Sequence, residues 1–315
     1  MGRFIPAYFA VSPMTVTLTA ACSTGGQSFS YLGQPFSYAS NPGLYLQPKS
    51  GNGADTLNYL IGDWWRYDNL WTDRSYSDAV NNLPIVFTNQ LDEPVTRQAA
   101  STSGVMLNGE QLSYQKPIEP IVPFNADFNL HLSINDLQDS DGVCYRASYS
   151  TECLDYTFNN IDQTMPLYWG RLLIHDTNGP ETNPLSQKVE AQYFSGGIFR
   201  TNSDDSCSDL GSVNHFTFDS TDFTVLKSGT ATPPEVKATL APSVLSLGVA
   251  NINFSAPGLG NRGFIKALLD LETHGLPWLR TYHQQSLSWQ KSAVGLAQFG
   301  FYSGSNRVIW WRESN

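Results

Sequence analysis

From Phe124 to Asn135 the chain alternates without a break. Phe124, Ala126, Phe128, Leu130, Leu132 and Ile134 are apolar, and Asn125, Asp127, Asn129, His131, Ser133 and Asn135 between them are polar. Successive side chains leave opposite faces of a strand, so such a run puts one face in a core and the other in solvent. A shorter version runs from Met14 to Ala20, where Thr15, Thr17 and Thr19 separate Met14, Val16, Leu18 and Ala20. Others lie at Arg171–His175, Val189–Phe194, His215–Asp219, Phe223–Leu226, Ile252–Phe254, Phe299–Tyr302 and Arg307–Trp311. Turn signals separate them: Asn-Pro-Gly at 41–43, Asn-Gly at 52–53 and 108–109, Asp-Gly at 141–142, and Asn-Gly-Pro at 178–180. Short strands punctuated in this way predict an all-β fold of tandem, immunoglobulin-like β-sandwich domains with little helix.

Two stretches resist the pattern. Residues 62–82 and 263–273 could each form a short helix, and Phe264, Leu268 and Leu271 stand at helical spacing, although the second also passes as a buried strand. The 315 residues suffice for two domains. A Pro-rich seam at 116–123 (KPIEPIVP) precedes the long alternating run, so the expected division is 1–115 and 116–315. The opening Gly2-Arg3-Phe4-Ile5-Pro6 reads as folded sequence rather than a signal peptide, which leads us to expect a piece of a longer protein.

A net charge of −10 opposes binding to nucleic acid or anionic lipid, since both need clustered Lys or Arg and the sequence has no basic run. No apolar stretch approaches the roughly 20 residues of a membrane-spanning helix, so direct membrane insertion is not expected. Four cysteines, Cys22, Cys144, Cys153 and Cys207, form no CxxC motif and no zinc-ligand spacing with histidine. Cys144 and Cys153 bracket a polar, tyrosine-rich segment that suits a disulfide-closed hairpin, which leaves Cys22 and Cys207 to pair with each other.

Three groups of residues offer candidate sites. Asp136, Asp139 and Asp141 crowd a tight turn and supply the hard oxygens that calcium prefers, but the spacing is not that of an EF-hand. Asp204 and Asp205 pose the same choice between a cation site and a capped loop next to Cys207. Trp64, Trp65, Tyr67 and Trp71 form either a sugar-stacking platform or packing, and Trp310 and Trp311 alternate, so one of the two rings would face outward to a partner. No GxSxG, HExxH or phosphate-cradling Gly loop occurs, and the five histidines are scattered, so no enzyme is expected.

The phrases "GRFIPAYFAV", "LNYLIGDWW", "YQKPIEPIVPFNADFNLHLSINDLQDSDGVCY", "YWGRLLIHDTNG", "TNSDDSC", "PWLR" and "FGFYSGSNRVIWWRE" occur in that order. Together they resemble the C-terminal domain of unknown function of MshQ-type proteins, from the mannose-sensitive haemagglutinin class of bacterial type IV pilus systems. The resemblance covers nearly the whole chain. It implies a surface protein of a Gram-negative bacterium, exported through the periplasm, with other domains upstream and no catalytic activity. One departure is local: relatives follow PWLR with an acidic segment, and here residues 281–286 (TYHQQS) carry no carboxylate. The expected role is a stalk or docking base that joins a tip adhesin to minor pilins. The rival expectation is a calcium-dependent carbohydrate-binding module.

Overall fold

The computed structural model describes residues 5–24, 27–283 and 285–301. Within them the chain is nearly all β, with five 3-10 turns and no α-helix, as tandem β-sandwiches require. It divides into two compact units, 1–169 with 194–197 and 170–193 with 198–315.

The first unit holds several small antiparallel sheets. One runs Tyr8–Pro13, Gly43–Lys49, Gly104–Leu107, Val95–Arg97, and another runs Thr17–Thr19, Phe36–Ser40, Glu110–Tyr114, Ile85–Asn89. The long alternating run enters this unit as two strands rather than one. Phe124–Asn125 pairs with Pro166–Leu167, whereas Phe128–Leu132 lies between Tyr156–Ile161 and Ser75–Asp78. Its side chains still obey the period: Ala126, Phe128, Leu130 and Leu132 are all fully buried. The strand stops at Leu132. Ile134 adopts helical backbone angles and is exposed, because the next residues form the 3-10 turn Asn135–Leu137.

These pairings move the domain division. Ser75–Asp78 comes before the Pro-rich seam and Phe128–Leu132 after it, yet they are neighbours in one sheet. The seam is therefore a loop inside the first unit, and the division falls after Trp169 instead of at residue 115.

The second unit packs a six-stranded sheet with a four-stranded one. The larger orders Gly170–Ile174, Leu185–Ser195, Val249–Phe254, Glu235–Ser246 and Thr224–Leu226, with Ile198–Thr201 also on Leu185–Ser195. The smaller orders Thr177–Gly179, Ser292–Phe299, Gly263–Asp270 and Phe216–Asp219. Of the two readings left open for 263–273, helix or buried strand, the structure has the strand, Gly263–Asp270. Gly263, Ile265, Ala267 and Leu269 are buried on one face, and Phe264 and Leu268 decorate the other, which is what gave the stretch its helical look. The core joins the two sheets through contacts such as Phe254 against Phe218, edge-on at 5.6 Å. The expected strand Arg307–Trp311, with Trp310 and Trp311, lies outside the described residues.

Candidate functional site

Two of the sequence candidates, the aromatic segment and the acidic turn, meet in the first unit. After the 3-10 turns Leu57–Leu60 and Gly62–Trp64, the chain carries the Trp71 ring into the core at a backbone φ of +54°. A bulky residue rarely adopts that angle and needs strong local support. The support comes from hydrogen bonds. Trp71 Nε1 donates to the Tyr67 hydroxyl at 2.7 Å, and that hydroxyl donates to the Asp136 carbonyl. The Trp71 amide donates to Asn69 Oδ1 at 2.8 Å, while Asn69 Nδ2 donates to the Asn135 carbonyl at 2.6 Å. Burial pushes the Tyr67 hydroxyl far above its ordinary pKa, so it stays protonated as a donor.

The acidic turn answers with its carboxylates. Asp136 is buried, and its two oxygens accept from the amides of Asp73 at 3.0 Å and Ser133 at 2.9 Å. Asp139 is also buried. One oxygen accepts from the amides of Asp141 and Val143, at 3.0 and 2.8 Å, and the other from the Tyr59 hydroxyl. Asp141 is exposed. The three carboxylates do not converge as one ligand set among the described residues. The sequence left a choice between calcium ligands and a turn whose Asp side chains bond nearby backbone amides; here Asp136 and Asp139 accept from protein donors and brace the aromatic segment.

That segment is only partly buried. Trp71 and Tyr67 belong to the core. Trp65 is half-buried under the Arg97 guanidinium, 4.0 Å from its ring, and Arg97 is itself fixed by donating to the carbonyls of Leu60 and Thr102. Trp64 is 37% exposed, Ile61 55% and Leu57 64%. Beside them opens a cleft of about 490 Å³, lined by Ile5, Ala7, Thr56, Leu57 and Tyr59 among others. Thr56 Oγ1 is buried there with no hydrogen-bond partner among the described residues.

All four cysteines are disulfide-bonded. Cys144 and Cys153 form the expected bridge, with Cα atoms 5.7 Å apart. Near Cys207, Asp205 caps the loop: one oxygen accepts from the amides of Cys207 and Ser208, and the other from the Ser208 hydroxyl at 2.8 Å. Asp204 lies half-buried beside it and donates its amide to Asn202 Oδ1 at 3.4 Å.

Sequence reasoning missed two buried charge networks. In the first unit, Arg74 Nη2 and Nε donate to Glu110 Oε1 at 2.6 and 2.9 Å, and Tyr76 donates to the other oxygen. Burial raises the Glu110 pKa, against the opposing pull of Tyr76 and Arg74. The available signal was Glu110 itself, in phase with the buried Leu112 and Tyr114 on one strand. In the second unit, Glu190 is buried beneath Thr201, His175 (2.5 Å), Lys188 (3.1 Å) and Gln192 (3.2 Å). Burial alone would raise its pKa, but the hydrogen bonds from Thr201, His175 and Lys188 win and bring it down to about 2.

Two family models match successive stretches of the chain. The model described as DUF6701, third domain, matches residues 1–160, and that described as DUF6701, fourth domain, matches residues 168–314. The break between the two matches, 161–167, falls just before the division of the structural units after Trp169. No curated protein matches the chain.

Proposed function

We propose that this chain, which belongs to the DUF6701 family and carries its third and fourth domains, is a non-enzymatic docking module of an extracytoplasmic surface protein. Two disulfides support this reading, since such bonds persist in oxidising compartments outside the cytoplasm. Among the described residues, no helix is long and apolar enough to cross a membrane. The resemblance to MshQ-type proteins supports a finer reading, in which the module joins the outer, adhesive domains of such a protein to the minor pilins of a type IV pilus.

The observation that carries the proposal is the exposed apolar surface of the first unit. Leu57, Ile61 and Trp64 lie in one segment anchored by the Tyr59 hydroxyl, which donates to the buried Asp139, and Leu57 borders a cleft that Ile5 also lines. Isolated exposed apolar residues are ordinary, but a cluster on a braced scaffold marks a surface that a partner covers. The family numbers this unit third, so the domain before it in the family's order is the occupant we assign. A glycan array probed with the chain, with and without EDTA, separates this reading from carbohydrate binding. The docking module binds no glycan under either condition; EDTA-sensitive binding would overturn the proposal.

A further inference from the structure

Among the described residues, the second unit leaves a lane that no strand fills. Hydrogen-bond parity shows where. His175 donates its amide to the Lys188 carbonyl at 2.9 Å, and Arg171 and Leu173 stand opposite Gln192 and Glu190. In an antiparallel ladder, residues alternate between bonding the partner strand and pointing away from it. Residues 171, 173 and 175 therefore bond inward, and the amide and carbonyl of Leu172 point to the outer edge. The strand Gly170–Ile174 ends its sheet, and among the described residues no strand pairs with that edge.

The same argument applies to Ser292–Phe299. Leu271 donates its amide to the Lys291 carbonyl at 2.8 Å, and Leu269 stands opposite Ala293. Ser292, Val294 and Leu296 must then present their main-chain groups on the far side. Leu296 bears this out, donating its amide to Asp176 Oδ1 at 2.8 Å. The lane on that far side is filled at one end by Thr177–Gly179, which pairs with Ala297–Phe299. At the other end, beside Ser292 and Val294, it is empty of protein partners among the described residues.

The two open edges line one cleft of about 550 Å³. It closes where the sheets come together at Gly295, whose missing Cβ would lie 2.7 Å from the Ile174 carbonyl oxygen. Leu271 and Ala293 supply an apolar floor. Arg171 and Lys291 supply positive charge in a chain of net charge −10. Arg171 is stacked 3.5 Å over the Phe199 ring and donates Nε to Gln192, so its two terminal nitrogens have no hydrogen-bond partner among the described residues. Lys291 lies 3.3 Å from Glu272.

We propose that this cleft is a strand-acceptor site, which takes an extended, acidic segment of a partner polypeptide as an added strand beside Ser292–Val294. Main-chain pairing supplies affinity, alternate apolar side chains meet the floor, and Arg171 and Lys291 select acidic neighbours. The inference rests on the docking-module reading and names the kind of partner.

The test uses the intact chain, labelled for NMR, and a short capped peptide of alternating valine and threonine with an aspartate at each end. Two versions of the peptide, N-methylated on alternate residues in opposite registers, serve as controls. The unmodified peptide should slow amide exchange at Ser292 and Val294. One methylated register should bind about tenfold more weakly and the other normally, because only one face of an added strand's main chain meets this edge. Val294→Pro, at a side chain that is 44% exposed, removes an outward amide without touching the ladder and should weaken binding about tenfold. Lys291→Glu should weaken it too. Absence of binding, or equal binding by both methylated registers, overturns the proposal. So does slow exchange at Val294 in the free chain that turns fast in a chain ending at Phe301, since the chain's own last segment would then be the occupant. None of these outcomes touches the apolar surface of the first unit, on which the parent reading stands or falls separately.

Discussion

Replacing Asp139 with alanine should destabilise the first unit by about 3 kcal/mol, whether or not calcium is present. The figure follows from what the carboxylate holds. Its two oxygens accept from the amides of Asp141 and Val143 and from the Tyr59 hydroxyl, in a side chain that is almost fully buried. A hydrogen bond to a charged group contributes about 1.5–3 kcal/mol, and the three are not additive because Asp141 sits at the surface, where water can replace its partner. The Tyr59 hydroxyl is buried and would lose its acceptor, and the loop beneath Trp71 would lose its brace. Asp139→Asn keeps one acceptor for both amides and should cost only about 1 kcal/mol. Urea unfolding followed by tryptophan fluorescence, to which Trp64, Trp65, Trp71 and Trp169 contribute from this unit, compares the variants with the parent chain and should be run in EDTA and in millimolar calcium. A loss below about 1 kcal/mol for the alanine variant would refute the bracing argument. So would a stabilisation of the parent chain by calcium that both variants abolish, which is the signature of a cation held by the turn.

Arg74→Met should cost about 3–5 kcal/mol in the same assay, because it strands Glu110 as a buried charge, and Arg74→Met with Glu110→Leu should recover much of that loss. Stability of the second unit should fall as pH drops. Glu190 has its pKa lowered from 4.5 to about 2, so its contribution of about 3 kcal/mol is whole above 4.5 and disappears toward 2. Glu190→Gln should flatten that part of the pH-stability curve, which acid titration followed by circular dichroism measures. Opening the Cys144–Cys153 bridge, by a double change to serine, should cost about 2.7 kcal/mol on the loop-entropy estimate for a sequence separation of 9. Thiol titration of the unfolded, unreduced parent should find no free sulfhydryl.

Much of the fold was legible because period-two alternation is written residue by residue. The faces of Phe124–Leu132 came out as read, since Ala126, Phe128, Leu130 and Leu132 keep to one side. The break within that run was not legible, because a strand can change partners without changing which way its side chains point. Proline density misled the domain division for a similar reason: it marks a loop, and only the pairing of Ser75–Asp78 with Phe128–Leu132 shows that both sides of the loop belong together. The Cys144–Cys153 bridge was readable because it is local. The union of Tyr59, Tyr67 and Asn69 with residues 135–139 was not, because each half looked self-sufficient and their meeting is set by tertiary structure. Polar residues on strand faces hid the Glu190 cluster, since Lys188, Glu190 and Gln192 read as a solvated stripe.

The most direct test is calorimetric titration of the chain with the separately produced domain that precedes it in the family's order. Leu57→Asp with Ile61→Asp places two charges on the exposed apolar segment without entering the core. The parent chain should bind, and the double variant should bind about 100-fold more weakly with an unchanged melting temperature, as loss of two central apolar contacts implies. Equal affinity of parent and variant, or no binding by either, would contradict the docking module.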